Sequence, residues 1–234
     1  MLNFKNLYST YTSAKPFPYI IFDDFMPSSD AAFCRKEMEK YNQWGHDPTE
    51  YSKAAQKNKF FTPWNEENLE DIKTQMPLTW KYLNYYNSRE FVKKLEDLTG
   101  IKNLIPDNSF AGGGVHRIDS GGKLSIHTDY AKHPNQNNLY RRINLLIYLN
   151  DNWEDSWGGS LQLWKNDMSE CAHEIQPIMN RAVIFNTTSK SLHGHPHPLN
   201  TPENISRYSI ALYYFTEEKF EEFDATTAIW YEIK

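Results

Sequence analysis

The sequence predicts a mainly β, α+β fold in which helices come first and an antiparallel sandwich or barrel follows. Three observations carry this. From Ser109 onward, short aliphatic and aromatic runs alternate with turn residues, and no helical pattern intervenes. Before that point, apolar residues recur at helical intervals between recognisable caps. Aromatic residues make up 15% of the 234 positions, with 7 Trp, 15 Tyr and 13 Phe, enough rings to fill a β-rich core or line a cavity. A chain of this length fits one domain. The sequence divides it into a strand-and-helix segment (1–108), a β-core (109–216) and a C-terminal extension (217–234).

Taken in order, Tyr19-Ile20-Ile21-Phe22 reads as a short strand, entered through Pro16 and Pro18 and left at Asp23-Asp24. Ser28, Ser29 or Asp30 can cap a helix running to about Tyr41, with Ala31, Phe33, Cys34 and Met38 at helical spacing. Residues 43–64 are polar and aperiodic and read as a long loop, a kind that often serves function. Helical patterns return over 66–85 and 88–98, the latter stopped by Gly100. The β half offers runs at 115–118, 124–129, 143–149, 160–164, 182–185 and 208–215. Gly121-Gly122, Asn150-Asp151-Asn152, Gly158-Gly159 and Asn180-Arg181 punctuate them.

Bulk properties narrow the function classes. A formal net charge of -5 argues against a general binder of phosphate backbones. No apolar run reaches the length of a signal peptide or a membrane span. Two cysteines, Cys34 and Cys171, cannot make a disulfide framework, so a reducing, cytoplasmic setting is expected. Gly112-Gly113-Gly114 lacks the Lys-Ser/Thr of a phosphate loop and reads as a flexible entry to the barrel.

The chemistry concentrates in His127-Thr128-Asp129, His193 and Arg207. Residues i and i+2 of a strand share a face, so His127 and Asp129 can ligate one ion while Thr128 points away. His193 then arrives from a distant strand. Two imidazoles and one carboxylate are the ligand set of a non-haem Fe(II) centre with open positions. Zinc accepts the same set. In His193-Gly194-His195-Pro196-His197 the first histidine is the favoured ligand, with His195 the fallback. His116 and His133 read as packing or solvent residues. Arg207 opens an alternating strand and shares a face with Ser209, Ala211 and Tyr213. A planar guanidinium there fits a carboxylate in bidentate fashion and would be costly to bury without an anion.

The stretches Gly121-Gly122-Lys123-Leu124-Ser125-Ile126-His127-Thr128-Asp129, Arg142-Ile143-Asn144-Leu145-Leu146-Ile147-Tyr148-Leu149-Asn150, Trp157-Gly158-Gly159-Ser160-Leu161, His193-Gly194 and Arg207-Tyr208-Ser209-Ile210-Ala211 resemble the 2-oxoglutarate/Fe(II)-dependent dioxygenases, in their prolyl 4-hydroxylase-like branch. The resemblance spans roughly residues 110–216. It implies a double-stranded β-helix, a jelly-roll or cupin-like barrel supported by N-terminal helices. It also implies Fe(II) held by His127, Asp129 and His193. Arg207 would pair with the far carboxylate of 2-oxoglutarate, Tyr148 would add a hydroxyl, and Leu161 would line the pocket. Arg141 matches a position near the mouth that can contact substrate. Arg117 stands where relatives often have a tyrosine near the site.

The implied reaction is hydroxylation of an unactivated C–H bond with O2, releasing succinate and CO2, and ascorbate is a candidate reductant. The expected substrate is a prolyl residue in a peptide or protein, or else a free amino acid or other small molecule. Lys123, Lys132, Arg141 and Arg142 suggest a basic rim beside the metal motif. Nucleic-acid demethylation is disfavoured, because Tyr213 stands where demethylases of the superfamily carry a second arginine. A non-catalytic cupin-like module or a zinc site is the alternative of another class. Arg207 with Tyr148 argues against it, since a zinc hydrolase needs no buried anion clamp.

Overall fold

A curled antiparallel sheet of eleven strands organises the described residues, which in this computed structural model are 4–46, 55–63, 65, 67–221 and 225–232. The strands are β1 (Tyr19–Phe22), β2 (Gln56–Thr62), β3 (Ile105–Pro106), β4 (Gly114–Thr128), β5 (Tyr140–Tyr148), β6 (Leu161–Trp164), β7 (Cys171–Ile175), β8 (Arg181–Asn186), β9 (His193–His195), β10 (Arg207–Thr216) and β11 (Ile229–Tyr231). Their order is β1-β8-β5-β10-β4-β9-β6-β7, with β2 and β11 added to β4 and β3 added to β10. Neighbours in this order are rarely neighbours in sequence, as a jelly-roll-type barrel requires.

Alternation along the strands separates two faces. In β5, Ile143, Leu145 and Ile147 join the main core, while Asn144, Leu146 and Tyr148 face a cavity inside the curl. The core layer is completed by helices α1 (Tyr8–Ser13), α2 (Ser28–Lys40), α3 (Glu67–Gln75), α4 (Pro77–Tyr86) and α5 (Arg89–Thr99). Cys34 and Met38 of α2, Ile72 of α3, Leu83 of α4 and Leu95 and Leu98 of α5 are fully buried against it. Each such side chain contributes about 1.5–3 kcal/mol by leaving water. The helices thus brace the outer face and leave the inner one for chemistry.

Several expectations hold. Strand β1 occupies the predicted residues, and α5 starts at Ser88, whose hydroxyl accepts from the Phe91 amide, and ends at Gly100 with φ 75°. Others need correction. Helix α2 begins at Ser28 itself, with Pro27 in the cap position and no side-chain cap, and Phe33 is 53% exposed instead of core-facing. The helical stretch 66–85 is two helices, because Pro77 opens α4 and cannot continue α3. The predicted loop 43–64 contains β2. Its polar Lys57 and Asn58 conceal the strand because they meet solvent at an irregularity in its pairing with β4, while Gln56 and Lys59 on either side line a cavity. Residues 47–54 of that loop lie outside the described residues.

The predicted runs 115–118 and 124–129 are one strand. Gly121 and Gly122 bend β4 without ending it. Strands β3, β7 and β11 have no counterpart in the sequence reading, and β9 is the distant strand expected to deliver His193.

Candidate active site

Strand β4 carries His127, one residue before its end, and Asp129 follows just beyond it. Antiparallel pairing sets His127 directly opposite His193 of β9. One ligand atom from each of His127, Asp129 and His193 lies within 4.8 Å of the others. Asp129 Oδ1 is 3.7 Å from His127 Nε2, and Asp129 Oδ2 is 3.4 Å from His193 Nε2. Both histidines use Nδ1 on a backbone carbonyl: His127 on Ser125 O at 2.9 Å, His193 on Ser191 O at 2.8 Å. Donation there places the free lone pair of each ring on Nε2, the atom that faces Asp129. Such outer hydrogen bonds fix tautomer and ring direction. The donor set, its convergence and its tautomers fit a divalent metal ion of the Fe(II) or Zn(II) kind.

Asp129 is itself held. Asn144 Nδ2 donates to Oδ2 at 2.8 Å, and Arg141 Nη2 sits 3.2 Å from Oδ1. Arg141 also donates through Nε to Asn144 Oδ1 at 2.9 Å. Its guanidinium lies 3.4 Å from the Tyr213 ring centroid and 4.6 Å from that of Tyr130. Burial works to raise the Asp129 pKa, but the Arg141 charge, then His193 and His127, reverse this and hold the carboxyl well below its usual range. Burial, then the neighbouring His127, pushes His193 down to about 4. A carboxylate beside a neutral imidazole is the state that binds metal.

The triad opens into a cavity of about 560 Å³. Arg207, 4% exposed, lines it from β10, and its Nε donates to Gly159 O at 2.8 Å. Its guanidinium carbon is 4.7 Å from the Tyr148 ring centroid. Burial lowers the Arg207 pKa and raises that of Tyr148. The Tyr148 hydroxyl is buried beside Arg207 and has no hydrogen bond of good geometry among the described residues. Leu161 lines the same cavity. An orphaned hydroxyl beside a buried arginine, in a cavity shared with a metal triad, suits a small carboxylic acid that chelates metal at its other end.

The structure therefore brings His127, Asp129, His193, Arg207, Tyr148 and Leu161 to one cavity. Arg141 reaches it too, but from a position 2% exposed and bonded to Asp129, not at a solvent rim. Arg117 does not line it. Neighbouring strand residues alternate faces, so His116 and Ile118 point into the cavity while Arg117 points away. There it pairs with Asp119 at 2.9 Å and stacks on Phe60 and Trp44. The predicted basic rim dissolves as well. Arg142 bonds Thr216 and stacks on Phe220, and neither Lys123 nor Lys132 lines the cavity.

Of the remaining histidines, His116 lines the cavity with Nε2 against Gly112 O, and His133 is buried 3.4 Å from Asp107. His195 is buried in the cavity wall. Sequence reasoning missed Asn144 and Trp230. The first was legible in principle, being two and four residues before Leu146 and Tyr148 on one strand face. Trp230, on β11, stacks its ring 4.8 Å from that of His127, a contact with no local signal.

Comparison with known proteins agrees. Residues 113–215 match the model of the 2OG-Fe(II) oxygenase superfamily. No curated protein sequence matches the chain. Among solved structures, a prolyl hydroxylase of Trichoplax adhaerens, in complex with a hypoxia inducible factor peptide fragment, is similar with TM-score 0.57 at 20% identity, covering 91% of this chain and 89% of that one. A Pseudomonas putida prolyl-4-hydroxylase gives TM-score 0.54 at 14% identity, with 92% and 100% covered. HygX of Streptomyces hygroscopicus, with nickel, 2-oxoglutarate and hygromycin B bound, gives 0.56 at 12%, with 85% and 82% covered. These likenesses show a shared double-stranded β-helix fold. The matched segment, a little under half of the chain, holds all three triad residues and Arg207.

Proposed function

We propose that this protein is an Fe(II)- and 2-oxoglutarate-dependent oxygenase and that it hydroxylates a prolyl residue in a peptide or protein. In this reading His127, Asp129 and His193 hold Fe(II), and Arg207 and Tyr148 hold the far carboxylate of 2-oxoglutarate over Leu161. The observation that carries the metal and co-substrate assignment is the shared cavity of triad, buried arginine and orphaned hydroxyl. The prolyl assignment draws support from two of the folds above, both prolyl hydroxylases. A small-molecule substrate is the second reading, favoured by HygX, whose structure contains hygromycin B.

The protein's own residues do four things here. Ser125 and Ser191 carbonyls aim the two imidazoles. Asn144 and Arg141 fix the Asp129 carboxylate. Arg207, pinned by Gly159, anchors an anion at the far end. Tyr130, Tyr213 and Trp230 wall the cavity. Ferrous iron, when bound, supplies activation of O2 coupled to oxidation of 2-oxoglutarate to succinate and CO2, the second oxygen atom going to the substrate C–H bond. We further assign ascorbate as the reductant that restores ferrous iron, and a reducing, cytoplasmic setting in keeping with two free cysteines. Residues 1–108 brace the site, residues 109–216 carry it and residues 217–234 extend it.

The test is the anaerobic visible spectrum of the Fe(II)-loaded protein as 2-oxoglutarate is added. A weak charge-transfer band, lost in His193→Ala, supports chelation at this site. Iron bound without a band overturns the co-substrate assignment and returns the zinc or binding-module readings. Prolyl peptides that gain one oxygen by mass, and free amino acids that do not, decide the substrate.

A further inference from the structure

His195 is an unexplained group in the cavity wall. It is 3% exposed, and neither ring nitrogen has a hydrogen-bond partner among the described residues. Leaving both imidazole nitrogens unpaired in a protein interior forfeits their hydration with nothing in return. Retaining such a residue is more economical when a ligand completes it. His195 lies two positions beyond His193 on β9, so both rings project to the same side of the sheet. Both line the cavity.

Register along β4 locates it further. Reading back from the metal end, His127 faces His193, Leu124 faces His195, and Ile118 faces Arg207. His195 thus stands between the metal ligand and the arginine, and Arg207, then Lys59 of the same cavity wall, then His127 act on it electrostatically. A carboxylic acid reaching from triad to Arg207 must run past this ring. No carboxylate of the described residues is paired with Arg207, and its neighbour in the cavity, the Tyr148 hydroxyl, is itself without a well-formed hydrogen bond among the described residues.

We propose that His195 is a third donor to the far carboxylate of 2-oxoglutarate, an N–H that joins the Arg207 guanidinium and the Tyr148 hydroxyl. This rests on the co-substrate reading above. A neutral imidazole always has one N–H to give, and an anion surrounded by three buried donors is better satisfied than one held by two. The consequence is selectivity for 2-oxo acids with a second carboxylate.

The experiment is calorimetric titration of the Ni(II)-loaded protein with 2-oxoglutarate and, separately, with 2-oxobutyrate, which keeps the chelating end and lacks the far carboxylate. A charged hydrogen bond of about 1.5–3 kcal/mol corresponds to roughly a 10- to 150-fold change in affinity. His195→Val should weaken 2-oxoglutarate by that factor and leave Ni(II) and 2-oxobutyrate affinities at wild-type values. His195→Asn or His195→Gln, whose amides mimic the two ring nitrogens, should restore most of the loss. In turnover, the Val variant should raise KM for 2-oxoglutarate far more than it lowers kcat. Wild-type affinity in His195→Val overturns the proposal and leaves the ring to the polar groove on its other side, lined by Ser160, Gln162 and Glu174. Equal loss of both acids overturns it in favour of a packing role. Failure of the wild type to bind 2-oxoglutarate overturns the co-substrate reading and this inference with it.

Discussion

At the scale of single residues, the site divides into groups whose job follows from their type and groups whose job follows from their neighbours. His127 and Asp129 were legible because strand geometry alone puts i and i+2 on one face. Arg207 was legible because an arginine in an apolar strand requests an anion. The hold that Asn144 and Arg141 keep on Asp129 was not, since it joins β5 to the end of a strand that is not its neighbour in the sheet, although strand alternation does put Asn144 on the face of Leu146 and Tyr148. Truncating one side of a buried charge interaction costs about 2–5 kcal/mol. Arg207→Ala should therefore weaken 2-oxoglutarate by roughly 30-fold or more, while metal affinity measured by chelator competition stays near wild type. Asn144→Ala should do the reverse. Loss of a group orienting a ligand lowers metal affinity about 10- to 100-fold, and the same competition assay would show it.

Elements explain why other expectations failed. The polar segment before β4 hides β2 because its register on β4 slips between Lys57 and Lys59 and breaks the alternation, and Gly121-Gly122 imitates a turn while only bending β4. Strand β9 is too short for any period to appear, yet it delivers His193. Its middle residue shows how closely it is fitted: a Cβ on Gly194 would lie 2.6 Å from Ser125 O and 2.7 Å from Leu124 O. Both are backbone atoms and cannot swing away. Gly194→Ala should push β9 off β4, at about 1–3 kcal/mol for overpacking. A fall of roughly 2–12 °C in Tm is expected for a chain of this size. The ligands on the two strands separate together, so metal affinity should fall with stability. An unchanged Tm and metal affinity would show that β9 tolerates displacement.

For the whole molecule, the antiparallel body with helices before it was predictable from texture, whereas the strand order was not. That order joins residues far apart in sequence, such as β1 to β8 and β2 to β4, through contacts that leave no local trace. Because the triad unites two strands from distant parts of the chain, a metal ion should brace the entire fold. At a hundredfold excess over its dissociation constant, a ligand specific to the native state adds about 2.7 kcal/mol, worth roughly 5–11 °C in Tm. Calorimetric melting with and without Ni(II) should show this rise in the wild type and none in His193→Ala. Strand β4 gives the molecule one more property. It pairs with Arg207 at Ile118 and with His193 at His127 in a single uninterrupted run. The separation between metal and arginine is consequently set by one piece of backbone, in the manner of a ruler with two fixed marks. A diacid one methylene too long or too short would meet one mark and miss the other. An inserted residue between those marks would turn His127 to the opposite face and erase the scale altogether.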